Sequence, residues 1–371
     1  MSLIRIELKN VRNLSEARLT PKACNLILGE NGSGKTSLLE AIHLLFRGKS
    51  FRHFEARHLI RFGQDELLVF AELESGTRLG VQKTKGDTQI RLNGQQSVTQ
   101  SELTRLVPVC LIDPAALDLL DQGTSSRRKL LDWLCFHVDP KFYRLWLDYT
   151  RLNKQRTSLL KRLEGQVLDE ESRAQLLSWS EPLATLGEAL TSSRLQVFNL
   201  WRSAFLSIAP KFLPRYHSDD EALEIEFSAG YDQGLGFFEV LQQRLQKDVE
   251  QGLSRVGPQR ADVRVKLGKL DATNVLSRGE KKLLITALKV SQLMVLTELE
   301  EASVVLLDDL TAELDQHSVE RLLAQLKQCN AQLFMTSLEA DLKAQVVDFW
   351  AQDAAVFRIA SGKICQEASV S

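Results

Sequence analysis

Hydrophobic and charged residues alternate near the start of the chain, in the stretch LIRIEL from Leu3 to Leu8. A period of two is typical of a strand with one buried face. Three further strand-like stretches, ELLVFAELE, TRLGVQK and TQIRLNG, lie between residues 66 and 96 and are separated by turn residues. The apolar stretch CNLIL predicts a buried strand. The pattern therefore indicates a strand-rich N-terminal part.

The pattern changes to helical periodicity between residues 127 and 209. Two runs step by three and four positions: Leu145, Tyr149, Leu152, Arg156, Leu159 and Leu163, then Leu183, Leu186, Leu190, Ser193, Val197, Leu200 and Ala204. This spacing predicts two amphipathic, antiparallel helices packed on each other. Each is expected to be about 30 Å long, too short for a long coiled-coil arm. A further helix is predicted over residues 237–253.

The last third of the chain alternates strand, helix, buried strand, helix and strand. Its clearest element is the run of four aliphatic residues from Val304 to Leu307, which is typical of a parallel strand buried on both faces. The whole pattern predicts an α/β fold. Residues 1–125 and 255–371 are expected to form one lobe, and residues 126–254 an inserted compact helical lobe.

Composition narrows the class of protein. The 371 residues carry 47 Lys and Arg against 48 Asp and Glu, a net charge of -1, so any nucleic-acid surface must come from local clustering. The 5 cysteines are scattered, which indicates reduced core thiols and excludes a disulfide scaffold or a zinc site. A charged N-terminus and the lack of an apolar run of about 18 residues predict neither signal peptide nor membrane span. We expect a cytoplasmic protein.

The segment GENGSGKT lies between the apolar stretch CNLIL and the helix-like stretch TSLLEAIHLLF, and it fits the phosphate-binding loop pattern GxxxxGK[ST]. Its glycines let backbone amides face a phosphate, and the following helix directs its positive end to the same place. A lysine in this loop can reach the terminal phosphates, and the next hydroxyl can ligate Mg²⁺. The predicted ATP-binding residues are Gly29, Glu30, Asn31, Gly32, Ser33, Gly34, Lys35 and Thr36.

Two aspartates, Asp308 and Asp309, follow the buried aliphatic strand directly. The carboxyl end of a parallel strand lies at the ligand-binding edge of its sheet. Asp308 is therefore predicted to bind Mg²⁺ together with Thr36, and Asp309 to polarise an attacking water. A solvated strand end also commonly carries Asp, but this pair complements a phosphate-binding loop that is already present. Lys35, Asp308 and Asp309 are the predicted catalytic residues.

The stretch LSRGEKKLLITALKVSQL predicts a helix that begins near Ser277. A serine followed three residues later by Glu280 is a capping box, which an ordinary helix start explains equally well. Gly279 costs helix stability, however, and a glycine is useful where a phosphate must approach closely. Ser277, Arg278 and Gly279 are therefore candidate nucleotide contacts. Glu313 and Asp315 occupy the loop after the acid pair.

These motifs, in the order GENGSGKT, LSRGEKK and VVLLDDLTAELD, resemble those of ABC-type ATPases, and the long gap between the first two resembles the SMC-like branch. Within that branch the chain resembles the RecF family in the segments LKNVRNLSEARL, GENGSGKTSLLEAI, GKSFR, RRKLLDW and GPQRADVR. The resemblance implies an ABC/SMC-type P-loop ATPase head that uses ATP and Mg²⁺. It also implies that residues 277–279 of one copy cap ATP bound to the loop of a second copy, so that ATP joins a homodimer and hydrolysis releases it.

The same resemblance implies a role in DNA replication, recombination, repair and the SOS response. The dimer is expected to bind gapped DNA at single-strand/double-strand junctions, with RecO and RecR as partners in loading the strand-exchange recombinase. A weak, DNA-dependent ATPase activity is implied. The densest basic residues are the candidate DNA contacts, because phosphate contacts come from such clusters, although a solvated helix face is also typical of any one of them. They are Arg127, Arg128, Lys129, Arg151, Lys154, Arg156, Lys161 and Arg162. Binding independent of DNA sequence is expected.

Some positions depart from the family pattern. Gln259 stands where the family often has histidine, and Asp309 is one methylene shorter than the glutamate of transporters, so slow turnover is expected. Thr336 or Ser337 is the candidate to replace the switch histidine, and Asp113 is the candidate for the missing Q-loop glutamine. A nucleotide-switched scaffold with negligible hydrolysis remains an alternative, because it needs the same loop. An ABC transport ATPase or a nuclease is disfavoured, because the long gap and the absence of a second metal-ligand cluster argue against them.

Overall fold

A computed structural model describes residues 2–52, 58–96, 99–113, 119–216, 222–309, 314–338 and 341–367. The chain forms two compact units. Unit 1 contains residues 1–118, 211–213 and 278–371, and unit 2 contains residues 119–210 and 214–277. No helix in the described ranges combines the length and the apolar character needed to cross a bilayer.

The strands and helices follow in chain order. The first part contains β1 (Leu3–Val11), β2 (Leu14–Leu19), β3 (Cys24–Leu28), α1 (Lys35–Arg47), β4 (Glu66–Leu73), β5 (Arg78–Thr84), β6 (Thr88–Leu92), β7 (Gln95–Gln96), α2 (Gln100–Leu106) and β8 (Val109–Ile112). The middle contains α3 (Thr124–Val138), α4 (Phe142–Leu163), α5 (Glu170–Phe212), β9 (Leu223–Ser228), α6 (Phe237–Gln243), α7 (Leu245–Glu250), β10 (Asp262–Leu267), β11 (Leu270–Asp271) and α8 (Ala272–Val275). The last part contains α9 (Arg278–Glu298), β12 (Ser303–Leu307), α10 (Gln316–Leu326), β13 (Ala331–Ser337), α11 (Asp341–Trp350), β14 (Ala354–Ala360) and β15 (Lys363–Gln366).

Unit 1 contains two six-stranded sheets that share a core with α1. One sheet is antiparallel, in the order β2-β1-β4-β5-β6-β7, and the other has the order β15-β14-β3-β13-β12-β8, parallel except for β15. Every residue of β3 and β12 is buried, whereas burial alternates along β4. Fully covered parallel strands are apolar throughout, and half-exposed antiparallel strands alternate. The strand predictions for this unit are confirmed.

Helix α1 contributes apolar side chains to a core that also includes residues of both sheets. It ends at Arg47 because Gly48 takes a left-handed conformation (φ 64°), and the Gly48 N–H bonds to the carbonyl of Leu44. The chain therefore leaves the helix at a fixed point, and the segment from Lys49 to Arg52 follows directly.

Unit 2 is mainly helical, with the three-stranded antiparallel sheet β11-β10-β9. Helices α4 and α5 are antiparallel as predicted. Arg156 of α4 bonds Ser180 of α5, whereas Tyr149, two turns earlier, lies beside Gly187. The predicted length was wrong for α5, which has 43 residues and is about 64 Å long at 1.5 Å per residue.

Two other predictions for this part of the chain differ from the structure. The single helix predicted over 237–253 is divided into α6 and α7, because Arg244 between them has φ -95° and ψ 0° and ends the first helix. The predicted return to the first lobe at residue 255 also differs from the observed division. Residues 255–277 belong to unit 2, since β10 pairs with β9 and α3 packs against β10.

Candidate nucleotide-binding site

The phosphate-binding loop connects β3 to α1 in unit 1. The ammonium Nζ of Lys35 donates to the carbonyl oxygens of Gly29 (2.6 Å) and Glu30 (3.1 Å) and so closes the loop on itself. A Cβ at Gly29 would lie 2.6 Å from both Ile359 O and Ser33 Oγ, and Gly34 has φ 119°, so these two positions require glycine. The conformation of the loop therefore depends on Lys35 and on these two glycines.

The Lys35 ammonium is buried, and burial lowers its pKa, while the nearby carboxylates of Asp309 and Asp308 act in the opposite direction. Burial disfavours a charged ammonium because charge is stabilised less in a low dielectric. A polyanion in the loop adds negative charge beside the same nitrogen. Binding of a phosphate chain would therefore favour the protonated lysine.

Asp308 is placed at the end of β12, and only 2% of its side chain is exposed. The Thr36 hydroxyl donates to its two carboxylate oxygens at 3.0 and 3.2 Å. The Thr336 hydroxyl, from the neighbouring strand β13, donates to Oδ1 at 3.0 Å. The structure thus brings together Thr36 and Asp308, the two residues predicted to hold Mg²⁺. Hydroxyl and carboxylate oxygens are the donors that Mg²⁺ prefers, usually with waters and substrate phosphates completing its shell.

Asp309 has an unusual conformation. Its φ is 53°, in the left-handed region that non-glycine residues rarely adopt, and its N–H donates to the Thr336 hydroxyl at 2.8 Å. The Oδ1 atom of Asp309 is buried and has no hydrogen-bond partner among the described residues. Such a backbone conformation at a functional site holds a side chain in one direction. Oδ1 is therefore an unused hydrogen-bond acceptor in a residue that lines the cleft.

Arg52 is a site residue to which sequence reasoning gave no role. Its Nη2 lies 2.8 Å from Oδ2 of Asp308, and 43% of its side chain is exposed. Helix α1 fixes the segment that carries it. His43 donates Nδ1–H to the carbonyl of Lys49 (2.8 Å), and the Ser50 hydroxyl donates to Glu40 and accepts from the Arg52 N–H. The residue lies in the segment GKSFR, but no periodicity or spacing there indicates a contact with Asp308.

Asn13 and Arg12, in the turn between β1 and β2, form another side of the cleft. The Asn13 amide donates to Gly32 O at 2.9 Å and accepts from the Ser37 hydroxyl at 3.0 Å, so it fixes the loop from outside. Arg12 donates to the buried carboxylate of Glu40 at 2.9 Å. The cleft has a volume of about 480 Å³. It is lined by Arg12, Asn13, Glu30, Asn31, Gly32, Gly34, Lys35, Thr36, Ser37, Arg52, Asp308, Asp309 and Thr336.

The other predicted site residues have varied positions. Ser277, Arg278 and Gly279 are exposed at the start of α9, and a Cβ at Gly279 would meet nothing within 4 Å. Asp315 caps α10 by accepting from the Ser318 N–H and hydroxyl, and these bonds lower its pKa. Asp113 follows β8 and is half-buried. Ser337 is buried, and Glu313 lies outside the described residues.

Three of the predicted DNA contacts are engaged inside unit 2. Arg127 makes two bonds to Asp262, at 2.9 and 2.7 Å, and Arg128 donates to Ala261 O at 2.9 Å. Arg156 is only 1% exposed and bonds Ser180 and Asp248, so its prediction as a DNA contact is wrong. A phosphate cannot reach a guanidinium that is buried and already paired. The exposed members of the set are Lys129, Arg151, Lys154, Lys161 and Arg162.

Gln259, at the position where the RecF pattern often has histidine, also makes its hydrogen bonds within unit 2. Its Oε1 accepts from the Tyr149 hydroxyl, and its Nε2 donates to Val256 O at 2.7 Å. The side chain therefore fixes the loop around Gly257, whose φ of 120° allows the tight turn.

The strand order, the phosphate-binding loop and the acid pair at the end of β12 define a P-loop ATPase head of the RecF/RecN/SMC class. A sequence profile described as "RecF/RecN/SMC N terminal domain" matches residues 2–351. Within that class, the chain belongs to the RecF family. The predicted fold class and the predicted family are confirmed.

Similar proteins support this assignment over the full length. The "DNA replication and repair protein RecF" of Acinetobacter baumannii is 41% identical over 372 residues and covers 100% of both chains. Its counterpart in Shewanella pealeana is 35% identical over 354 residues, 94% of each chain. A solved "recombination mediator protein RecF-ATP in RecFOR pathway" has a TM-score of 0.79 and 26% identity, covering 99% of this chain and 97% of that one. An Smc head bound to a domain of ScpA, with a TM-score of 0.61 and 16% identity, covers 100% and 98% and shows the shared fold.

Proposed function

We propose that this chain is a recombination mediator that binds ATP and Mg²⁺, forms an ATP-dependent homodimer on gapped DNA and hydrolyses ATP slowly. The observation that carries the proposal is the arrangement at one end of the parallel sheet. A closed phosphate-binding loop, the 3.0 Å contact between Thr36 and Asp308, and the unpartnered Oδ1 of Asp309 lie in one cleft. The solved relative named for its complex with ATP supports the choice of nucleotide.

Each cleft residue has a role in this proposal. The loop amides and Lys35 bind the phosphates, and Lys35 exchanges the carbonyls of Gly29 and Glu30 for phosphate oxygens. Thr36 and Asp308 hold Mg²⁺, which when bound neutralises charge on the phosphates. Asp309 accepts a hydrogen bond from the attacking water through Oδ1. Its short side chain and constrained backbone favour slow turnover.

The dimer depends on the exposed start of α9. Ser277, Arg278 and Gly279 present a helix N-terminus, whose positive end suits a γ-phosphate bound to the loop of a second copy. The open space at Gly279 permits close approach. Only the triphosphate reaches both copies, so hydrolysis removes the difference in affinity that favours the closed dimer.

DNA binding is assigned to the exposed basic residues of unit 2. Lys129, Arg151, Lys154, Lys161 and Arg162 provide charge without base-reading groups, so binding to single-strand/double-strand junctions is independent of sequence and decreases with salt. RecO and RecR are the expected partners in recombinase loading, in agreement with the pathway named for the solved relative. The proposed location of the protein is the cytoplasm.

Sedimentation with ATP, ADP or no nucleotide, with and without gapped DNA, tests the shared-nucleotide dimer. ATP is expected to convert the wild-type protein to a dimer. Ser277→Arg is expected to stay monomeric while still binding a fluorescent ATP analogue, because the long side chain blocks approach. Ser178→Arg, which adds the same side chain at an exposed site on α5, is the matched control and is expected to dimerise. A wild-type mass that is monomeric in every condition contradicts the proposal.

Asp309→Asn separates hydrolysis from nucleotide switching. We expect phosphate release to fall about a hundredfold or more, as for loss of a general base. ATP-bound dimers on DNA should then last longer. If dimer lifetime and phosphate release both stay at the wild-type values, Asp309 is not part of a hydrolytic cycle. Negligible phosphate release by the wild-type protein as well would favour the nucleotide-switched scaffold.

A further inference from the structure

A slot crosses the outer face of the antiparallel sheet in unit 1. It shares no lining residue with the nucleotide cleft. Phe70 on β4, Gly80 on β5 and Arg91 on β6 lie side by side in one row. Because Gly80 has no side chain, the row has a gap between the aromatic ring and the arginine. A Cβ at Gly80 would meet nothing closer than Arg91 Cβ, at 3.9 Å. The volume of the slot is about 530 Å³, within the range of roughly 300–1,000 Å³ typical of ligand sites.

One side of the Phe70 ring is already covered. The guanidinium carbon of Arg5, on β1, lies 5.9 Å from the ring centroid. Strands β1 and β5 flank β4 on opposite sides, so the cover comes from the strand away from the slot. The position beside Phe70 on the slot side is Gly80. The aromatic ring is therefore held from one side and left uncovered by its cross-strand neighbour on the other.

The walls of the slot carry positive charge and amide groups. They are formed by Leu68, Phe70, Gly76, Arg78, Leu79, Gly80, Gln82, Gln89, Arg91, Asn93 and Gly94. None of these residues is acidic. Carboxylates at the edge of the slot are hydrogen-bonded or ion-paired to its lining residues: Glu66 accepts from Gln82 at 2.6 Å, Asp87 accepts from Gln89 at 3.3 Å, and Glu72 lies 3.4 Å from Arg78. Arg91 is exposed and makes no ion pair with any described residue.

This arrangement matches the chemistry of an unpaired nucleotide. Strands separated by one intervening strand lie roughly 9–10 Å apart, so a planar ring can enter between Phe70 and Arg91. Unpaired bases stack on aromatic rings and on guanidinium planes, and arginines bind the adjoining phosphates. An acidic peptide would satisfy the arginines, but its carboxylate side chains would not use the apolar face of the Phe70 ring.

We propose that this slot binds an unpaired base of single-stranded DNA, stacked between Phe70 and Arg91, with Arg78 at a neighbouring phosphate. The choice of DNA as the ligand rests on the proposed function. The base is bound without sequence preference, because stacking uses the face common to all bases. The slot would give this protein a contact with the single-stranded side of a gap that is separate from the basic residues of unit 2.

Fluorescence anisotropy with a short labelled oligo(dT), on the full chain without nucleotide, tests the slot. Gly80→Val fills it without backbone strain, and Arg91→Gln removes the guanidinium. Each is expected to weaken oligo(dT) binding roughly five- to a hundredfold, the range measured for loss of one stacked base, while duplex binding stays within about twofold. Arg358→Gln is the matched control, because Arg358 is an exposed arginine on β14, in the other sheet of unit 1, and does not line the slot.

Wild-type affinity for oligo(dT) in both slot variants overturns the proposal. Equal loss in Arg358→Gln also overturns it, since that result indicates a general charge effect. Binding of an acidic peptide that contains phenylalanine, lost in Gly80→Val while oligo(dT) binding of that variant is unchanged, assigns the slot to a protein partner instead. ATP-dependent sedimentation of the same variants measures dimerisation independently of oligo(dT) binding. Failure of the proposed dimer and failure of the proposed slot therefore give different results.

Discussion

Two arginine–aspartate pairs, one in each unit, show how differently the same chemistry can be used. In unit 2, Arg156 and Asp248 lie 3.2 Å apart, and their side chains are 1% and 0% exposed. In unit 1, Arg52 and Asp308 lie 2.8 Å apart, but the arginine is 43% exposed while the aspartate is 2% exposed. Both side chains of the first pair are shielded from solvent, and we call it the sealed pair. In the second, which we call the open pair, the acid is buried but its cationic partner is accessible to solvent or a ligand.

The surroundings of the two pairs explain the difference. Arg156 lies about one turn before Leu159 and Leu160 on α4, and these leucines belong to an apolar cluster of unit 2. Its third nitrogen, Nη2, has no partner among the described residues. Asp308 instead has hydroxyl donors from Thr36 and Thr336 besides Arg52. The sealed pair stabilises the fold, because removing either partner would leave the other charge buried without its counter-ion. An open pair with alternative donors suits a site where cations and phosphates come and go.

The largest expected effect comes from breaking the sealed pair. Arg156→Leu leaves the Asp248 carboxylate buried without its cation, which costs about 3–5 kcal/mol of unfolding free energy. Urea denaturation followed by circular dichroism measures this loss. Arg162→Leu, at an exposed position on the same helix, is the control and should change the free energy by less than about 0.5 kcal/mol. Equal stability of the two variants would show that the pair contributes nothing.

The segment that carries Arg52 of the open pair is held by a hydrogen bond from the buried His43 to the carbonyl of Lys49, and this histidine makes the stability of the protein depend on pH. Burial lowers the pKa of His43 to about 4, outweighing its hydrogen bond to the carbonyl of Lys49. The folded state therefore favours the neutral ring. Its contribution to stability is complete above the unfolded pKa of about 6.5, and it is lost as pH falls from there toward 4, because the unfolded chain takes up a proton first.

His43→Gln removes this titration and keeps a donor for the Lys49 carbonyl. Between pH 7.5 and pH 5 the wild-type protein is expected to lose about 2 kcal/mol more unfolding free energy than the variant. Urea titrations at the two pH values measure the difference. Parallel losses in both proteins would show that His43 titrates in the folded state as it does in the unfolded one.

The two pairs also show what could be predicted from the sequence. Strands β1 and β12 were predictable because burial on one or both faces is visible directly in the order of apolar residues. The P-loop and acid pair were predictable because phosphate chemistry demands particular residues at short spacing. Arg156 occupies a position in the apolar stripe of α4, between Tyr149 and Leu159, and that signal indicated burial rather than DNA contact.

Other features depend on contacts between distant parts of the chain. Arg52 meets Asp308 across 256 positions, and the slot at Gly80 requires the register of three strands. Neither has a local pattern. The N-terminal part of α5 was missed because Pro182 lies inside that helix. Proline usually ends a helix by removing a backbone donor, and the predicted run starts after it. In the structure the helix continues through Pro182, with contacts to α4 at Ser180 before it and Gly187 after it.

Thr336 supports the acid of the open pair, and its loss is expected to have an intermediate effect. Thr336→Val removes the hydroxyl that donates to Asp308 and accepts from the Asp309 N–H. We expect ATP turnover to fall about tenfold, equivalent to one hydrogen bond to a charged group, with little change in KM because the P-loop is intact. Thr336→Ser keeps the hydroxyl and should retain turnover. A fall in turnover for both variants would point to packing of the methyl group instead.

The smallest effect is expected from opening the exposed pair itself. Arg52→Gln removes a guanidinium that is 43% exposed, and Asp308 keeps the Thr36 and Thr336 hydroxyls, so the unfolding free energy without nucleotide should change by less than about 1 kcal/mol. The same urea measurement used for Arg156→Leu makes the two pairs directly comparable. A loss for Arg52→Gln as large as that for Arg156→Leu would mean that exposure of one partner does not distinguish an exchangeable pair from a structural one. A small loss would show that the buried acid is stabilised mainly by its hydroxyl donors, which leaves the guanidinium free to leave Asp308 when a ligand enters the cleft.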